Sequence, residues 1–253
     1  VTEDDLTKIS RQLDVSMGDM MGMMYGFIYE GTYKYEDFDK VGDTYTLKRN
    51  VPYFSSESNT QPGMPKYADL NGDGIIDDND RTMIGNGMPK HTGGFTNNFE
   101  YKGFDLSIFF QWSYGNDVLN ANRLFFENSN KTRDLNQYAS YADRWTPENP
   151  ESNIPRATDS GSNKVFSTRI IEDGSFLRLK TVSLGYTLPK QLTKKWKIDN
   201  ARVFVAGQNL WTCTGYSGYD PEVSIREGAL TPGLDFSAYP RAYSISFGIN
   251  LGF

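Results

Sequence analysis

Ala242-Tyr243-Ser244-Ile245-Ser246-Phe247-Gly248-Ile249-Asn250-Leu251-Gly252-Phe253 is the stretch whose reading decides the fold. In an extended chain successive side chains point to opposite faces. Tyr243, Ile245, Phe247, Ile249, Leu251 and Phe253 then share one face, and Ala242, Ser244, Ser246, Gly248, Asn250 and Gly252 share the other. The result is a strand with one wholly apolar face and one small, polar face. In water such an apolar edge strand would invite edge-to-edge association. In a closed transmembrane barrel, hydrocarbon meets the apolar face and both backbone edges are paired.

The same period recurs upstream. Phe95, Asn97, Phe99 and Tyr101 alternate with Thr96, Asn98 and Glu100, and Lys102-Gly103 reads as a tight turn. Beyond the turn, Phe104, Leu106, Ile108, Phe110, Trp112 and Tyr114 alternate with Asp105, Ser107, Phe109, Gln111 and Ser113, where only Phe109 breaks the pattern. These runs predict one hairpin. A third strand is expected over 168–188, with Val182, Leu184, Tyr186 and Leu188 on one face, and a fourth over 201–211. Short links at Lys102-Gly103 and 189–200 alternate with long polar ones at 115–164 and 212–240, which is the spacing of short periplasmic turns and long external loops. On this topology the first of these strands runs inward, the next outward, and the last inward to Phe253. Short helices are expected around 119–127 and 135–144, and a short helix or linker over 4–14.

Composition bounds the alternatives. The chain has 253 residues, 23% of them charged, and a mean hydropathy of −0.58. No run approaches the ~18 apolar residues of a spanning helix, whereas a spanning strand needs only about 9–11 residues with one apolar face. Aromatic residues make up 14%, which suits interfacial girdles, sugar-binding surfaces or a well-filled soluble β core alike. A net charge of −6 without a basic stripe argues against nucleic acid as a partner. The strands are too few to close a wide barrel, so the chain reads as part of something larger that carried an export signal upstream. Two readings stand at this level: a transmembrane barrel piece and a soluble β-sandwich or small barrel, which alternates too.

Asp69-Leu70-Asn71-Gly72-Asp73-Gly74-Ile75-Ile76-Asp77-Asp78-Asn79-Asp80 is the strongest chemical motif. Oxygen donors fall at loop positions 1, 3, 5, 9 and 12 (Asp69, Asn71, Asp73, Asp77, Asp80), Gly74 sits at the sharp turn, and Ile75 would offer its carbonyl. Calcium needs many oxygens at once, which explains carboxylates that otherwise repel. Asp80 stands where Glu is usual, and its shorter side chain makes bidentate coordination harder. The expectation is one structural Ca²⁺ clip on a long loop, with Ile76 as its apolar anchor. The Met-rich run (Met17, Met20, Met21, Met23, Met24) reads as ordinary packing.

Several segments in series resemble the C-terminal region of SusC/RagA-type TonB-dependent transporters. They are Tyr67-Ala68-Asp69-Leu70-Asn71-Gly72-Asp73-Gly74, Phe104-Asp105-Leu106-Ser107-Ile108-Phe109-Phe110-Gln111, Gly115-Asn116-Asp117, Arg144-Trp145-Thr146-Pro147-Glu148-Asn149 and Ile154-Pro155-Arg156. After these come Glu172-Asp173-Gly174-Ser175-Phe176-Leu177-Arg178-Leu179-Lys180, Leu184-Gly185-Tyr186-Thr187-Leu188-Pro189, Gly207-Gln208-Asn209-Leu210, Gly218-Tyr219-Asp220-Pro221-Glu222 and the last strand. The resemblance covers nearly the whole chain from about residue 20. It implies an all-β fold: the C-terminal strands of a large antiparallel barrel of about 22 strands around a plug, in the cell outer membrane. It further implies TonB-coupled import of oligosaccharides or peptides with a SusD-like surface lipoprotein, the plug and TonB box lying outside this sequence. Residues 1–91 would be mostly extracellular loop carrying the calcium loop 69–80, and 92–253 barrel strands and loops in contact with outer-membrane lipid. Ile249, Leu251 and Phe253 would carry the barrel assembly signal.

Enzymatic chemistry has little to stand on. His91 is the one histidine, Cys213 has no partner nearby in sequence, and no triad order, metal-protease helix or phosphate loop appears. The other class is a soluble, calcium-stabilised, β-rich carbohydrate-binding or adhesin module, in which Trp211, Tyr216 and Tyr219 would stack on sugars or pack within loops.

Overall fold

The computed structural model describes residues 22–128, 136–158, 165–222 and 232–253. They fall into two compact units, each assembled from separated stretches: Val1–Met88, Asp117–Glu172 and Ser224–Ala238 in one, and Pro89–Asn116, Asp173–Val223 and Tyr239–Phe253 in the other.

The second unit is an antiparallel sheet of five long strands: β1 (His91–Tyr101), β2 (Phe104–Tyr114), β3 (Phe176–Thr187), β4 (Asn200–Thr214) and β5 (Ser244–Gly252). They lie side by side in chain order. At 9 to 15 residues each, all reach the length of a spanning strand. The hairpin between β1 and β2 turns on two residues with positive φ, Lys102 at 48° and Gly103 at 88°. That is the type I′ geometry that matches strand twist.

Register carries the two-faced pattern across the whole sheet. One row aligns Phe99, Leu106, Leu184, Val205 and Phe247, and the next aligns Tyr101, Phe104, Tyr186, Val203 and Ile249. A row between them, on the opposite face, aligns Glu100, Asp105, Gly185, Phe204 and Gly248. The apolar face is bare: Phe247 is 81% exposed and Ile249 68%. Tyr101, Phe104 and Tyr186 close one end of this face, and Trp112 and Trp211 the other. From Phe104 to Trp112 is eight residue steps, about 27 Å at the usual strand rise and about 21 Å once tilted as in a barrel. The apolar band of an outer-membrane barrel is about 25 Å tall.

Two irregularities break the ladder. Lys180 is an extra residue in β3 against β2, where the partners jump from Phe109–Thr181 to Phe110–Leu179. In β4, Asn209 and Leu210 occupy the stretch opposite Lys180 alone, and Asn209 takes the left-handed conformation with φ 51°. Asn tolerates that region better than most residues. The bulge explains why β4 alternates poorly in sequence.

The first unit is made of short pairings. Met23–Gly26 pairs with Thr82–Asn86, Tyr29–Thr32 with Pro65–Tyr67, and Phe38–Val41 with Thr44–Leu47, while Tyr53–Phe54 runs parallel to Ile75–Ile76. Three apolar clusters hold it: one around Met24, Leu119, Ile170 and Leu234, one around Phe27, Tyr67 and Ile76, and one around Tyr33, Phe38 and Leu47. Buried Glu127 ties the first cluster's flank together through Arg123, Arg169 and Ser140. Burial alone would raise its pKa, but those hydrogen bonds and the two guanidinium charges hold it below its ordinary value.

Several expected elements change. The strand expected over 168–188 is three pieces: a 3₁₀ turn at Thr168–Ile170, a short strand Ile171–Asp173, and β3. Asp173 Oδ1 accepts the Ser175 N–H at 2.9 Å, a local turn that ends one strand before the next begins. The helix expected at 119–127 shrinks to Asn122–Phe126, because Asp117–Asn120 is extended against Leu234–Asp235. There the Leu119 and Ala121 N–H groups donate to Gly233 and Asp235 carbonyls. The second helix reduces to a 3₁₀ turn, Ala139–Asp143. β4 runs on to Thr214. Met23 and Met24 are packed as expected, while 4–14 and Met17, Met20 and Met21 lie outside the described residues. No helix among the described residues is long and apolar enough to cross a membrane.

Candidate functional site

The acidic loop folds around its own backbone. Asp69 accepts the N–H of Gly72 through Oδ1 at 2.7 Å and that of Gly74 through Oδ2 at 2.8 Å. Asn71 Oδ1 accepts from the Asp73 N–H, Asp73 Oδ1 from Ile75, and Asp77 Oδ1 from Asn79. Gly74 makes the sharp turn at φ 84°, where a side chain would be strained. Ile76 is buried among Phe27, Tyr67 and Phe54, so the anchor expected at that position is in place. Ile75 is exposed.

Asp80 behaves differently from the other donors. It is fully buried, its Oδ1 accepts the N–H groups of Leu70 at 2.8 Å and Asn71 at 3.3 Å, and its Oδ2 accepts that of Asp77 at 2.9 Å. Burial alone would raise its pKa, but the N–H groups of Asp77, Leu70 and Asn71 outweigh burial and hold the carboxyl below its ordinary value. Asp80 therefore fastens the loop's end to its beginning. Asp69, Asn71, Asp73, Asp77 and Asp80 have the donor chemistry of a calcium loop, but their side chains here serve backbone amides. Among the described residues no group of three or more His, Cys, Asp or Glu side chains is brought together as a metal site.

On the polar face of the five-stranded sheet, two of the sequence segments meet that nothing in one sequence connects. Arg178 of β3 is buried and donates to Asp220 through Nη2 and to Glu222 through Nη1 at 3.1 Å, while its Nε reaches Thr212 Oγ1 of β4. Lys180 and Arg241 also pair with Glu222, at 3.5 and 3.1 Å. Asp220 Oδ2 in turn accepts the Arg241 N–H. The Tyr-Asp-Pro-Glu segment after β4 is thus locked to the wall by charge pairs that leave few polar atoms unsatisfied. A second pair, Asp105 of β2 with Arg202 of β4, spans the intervening strand over Gly185. A Cβ at Gly185 would sit 2.3 Å from the Arg202 guanidinium, so the glycine is what lets the pair close.

Ile249 and Leu251 lie on the apolar face of the sheet in β5, and Phe253 just after it is 86% exposed. His91 accepts a hydrogen bond from Trp112 Nε1 at 3.1 Å and stacks on Tyr114; Cys213 is an exposed free thiol.

No protein-family model matches the chain. It is 35% identical over 243 residues to "TonB-dependent receptor P3" of Formosa agariphila, which covers 93% of this chain and 22% of that protein. It is 28% identical over 198 residues to "TonB-dependent receptor SusC" of Bacteroides thetaiotaomicron, covering 78% of this chain and 18% of that one. Among solved structures it is similar to that of the RagAB peptide transporter, with a TM-score of 0.67 and 26% identity over 91% of this chain and 23% of the other. These names are those of receptors and a transporter, not of enzymes. The chain spans about a fifth of the length of the curated relatives it matches. By sequence and by its strands, the chain belongs to the SusC/RagA family of TonB-dependent receptors.

Proposed function

We propose that this chain supplies barrel wall and external loops, from the C-terminal part of the barrel, to a TonB-dependent importer in the outer membrane. The observation that carries the reading is the five-stranded sheet with one continuous, bare apolar face of membrane-spanning height. A soluble sheet would lose stability and solubility by leaving that face in water. Hydrocarbon removes the cost, and the unpaired edges of β1 and β5 pair with further strands of a closed barrel. Family membership supports energy from a TonB complex, a SusD-like lipoprotein as surface partner, and oligosaccharides or peptides as cargo. Ile249, Leu251 and Phe253 as an assembly signal belong to the same reading, and deleting Phe253 is expected to impair membrane assembly.

The acidic loop is part of the proposal as a structural Ca²⁺ clip. Its spacing and the turn at Gly74 support this reading. Asp69, Asn71, Asp73 and Asp77 with the Ile75 carbonyl would hold the ion, while Asp80 stays with the backbone. Calcium would add rigidity to an external loop and take no part in transport. In the full-length receptor, replacing Asp69 and Asp73 together by Ala is expected to abolish calcium occupancy and speed proteolysis within the loop; unchanged occupancy would remove the metal from the reading.

The deciding experiment is the intact mass of the native polypeptide extracted by detergent from outer membranes. A mass several times the 28.7 kDa of this chain is expected. A water-soluble polypeptide of about this size, monomeric without detergent, would overturn the barrel and leave the calcium-stabilised binding module.

A further inference from the structure

We infer that the connector between β3 and β4 is an anchor for anionic phospholipid, its lysines taking headgroup phosphates and Leu192 and Trp196 entering the acyl boundary. Pro189 opens the connector, Lys190–Thr193 makes one helical turn, Lys194–Trp196 makes a 3₁₀ turn, and Lys197 reverses the chain in the left-handed conformation at φ 56°. Lys190, Lys194, Lys195 and Lys197 fall within eight residues of a chain whose net charge is −6. No acidic residue lies between Asp173 and Asp199. Among the described residues none of these four lysines is in an ion pair, whereas Lys34, Lys66 and Lys180 each have a carboxylate. At this end of the sheet Asp105 is already held by Arg202.

The connector is fixed at its base and open elsewhere. The Leu188 N–H donates to the Ala201 carbonyl at 2.9 Å and the Asp199 N–H to the Gly252 carbonyl at 2.8 Å, so both ends are tied to the sheet. Thr193 is buried, and its carbonyl accepts the Ile198 N–H at 3.2 Å. Leu192 and Trp196 are four residues apart, on one side of Thr193 by helical spacing, and are 46% and 63% exposed. Lys190 and Lys194, also four apart, fall on the other side, and all four lysines are exposed. The connector leaves β3 just past Tyr186, at the end of the sheet where Tyr101, Phe104 and Tyr186 close the apolar face. Lys102 turns at the same end, its ammonium 5.1 Å from the Tyr101 ring. The exposed apolar pair thus stands at the end of the bare face, with ammonium groups beside it.

Each half of the patch excludes a partner. Free phosphate would neutralise the lysines but leave Leu192 and Trp196 in water. A zwitterionic surface would take the apolar pair but give four ammonium groups no net counter-charge. An anionic phospholipid leaflet meets both needs. Tryptophan rings settle at headgroup level, lysine stems lie along apolar surface with their ammonium groups at the phosphates, and clustered lysines are drawn to an anionic membrane surface. The inference rests on the barrel reading above, in which short links face the periplasm, so the leaflet is the inner one. It adds a lipid class and a site to that reading.

The test is titration of the full-length receptor, in a neutral detergent, with dioleoylphosphatidylglycerol and separately with dioleoylphosphatidylcholine, bound lipid being counted by native mass spectrometry. Wild type is expected to prefer the glycerol lipid. Replacing Lys190, Lys194, Lys195 and Lys197 together by Gln is expected to weaken that lipid about tenfold and leave the choline lipid and the thermal midpoint unchanged, while replacing all four by Arg keeps the preference. Trp196→Ser is expected to weaken both lipids several-fold. Should the four-Gln variant melt early, Lys194→Gln with Lys195→Gln is read in its place, with an expected loss of about threefold. Equal phosphatidylglycerol binding by wild type and the Gln variants overturns the anchor, as does a wild type without preference between the two lipids. Displacement of the glycerol lipid by inorganic phosphate, with Trp196→Ser binding as wild type, overturns the lipid and leaves a free-phosphate site. All of these outcomes leave the barrel standing; its failure shows instead in the detergent-extracted mass.

Discussion

The two units solve the same problem, burying or satisfying a chain with many aromatics, in opposite ways. The five-stranded sheet repeats one rule: over most of each strand every second side chain is apolar and lies on one face, and partner rows such as Phe99, Leu106, Leu184, Val205 and Phe247 carry the rule across all five strands. The first unit has no repeating rule. Its strands are two to five residues long, its cores are three separate clusters, and particular contacts hold its loops, such as Asp80 on three backbone amides or Gly63 under Trp145. The difference teaches where period helps. A period of two marks a sheet whose two faces meet different surroundings; an assembly of loops is specified residue by residue.

The comparison breaks most readily at Arg178, where the regular sheet depends on one irregular contact. Arg178→Ala leaves Asp220 buried without its cation, at a cost of about 3–5 kcal/mol. The expected outcome is loss of heat-resistant folded receptor, or at least release of the segment at 218–222 to protease, while Asp220→Asn combined with Arg178→Met recovers much of the loss. Full stability of Arg178→Ala would mean the pair carries no load.

Next in size is a charge placed on either face of one strand. Val182→Arg, in the row of Ile108 midway between Phe104 and Trp112, puts a cation on the apolar face near mid-height and is expected to cost about 2–4 kcal/mol of folding into lipid vesicles. Ser183→Arg, one residue away on the polar face, is expected to cost far less. Equal costs, measured by denaturant unfolding in vesicles, would mean that the faces do not meet different solvents, and the barrel reading would fall with them.

These two cases also show how far the sequence could be read. Val182 was legible: Leu184 and Tyr186 follow it at steps of two, and the same pattern returned in β2 and β5. The Lys102-Gly103 turn was legible because a two-residue link between alternating runs leaves little choice. Arg178 was not, since its partners lie 42 and 44 residues away and pairing across strands leaves no mark in a single sequence. The break at Asp173-Gly174-Ser175 was present as turn chemistry, but apolar residues on both sides masked it. In the acidic loop, the turn at Gly74 and the Ile76 anchor were legible. Spacing alone does not separate oxygens that converge on a cation from oxygens that accept amide protons, because both need carboxylates and a glycine at the same places.

In the loop, a smaller change sharpens the same distinction. Asp80→Ala removes the acceptor of three part-buried backbone amides and is expected to cost about 2–3 kcal/mol locally, read as faster hydrogen exchange at Leu70, Asn71 and Asp77. The long strands should keep their protection, since no ladder contact involves Asp80. Loss of protection throughout the sheet would mean the two units unfold as one.

The gentlest perturbation is acid. Asp80 has a folded-state pKa below its ordinary value of 3.8, so its carboxylate stabilises the loop at every pH above that value. As pH falls, the unfolded loop takes up a proton first, and the stabilisation shrinks from about pH 4 downward until the folded carboxyl is protonated too. Exchange protection of the Leu70 and Asp77 amides should therefore be flat from neutral pH to about pH 5 and fall below about pH 4. In Asp80→Asn, which keeps an acceptor but cannot titrate, protection should be lower at neutral pH and lack the acid limb due to this group. An acid limb of the same size in Asp80→Asn would show that Asp80 is not its source, and the loop would then be held by other contacts and not by its buried fastening.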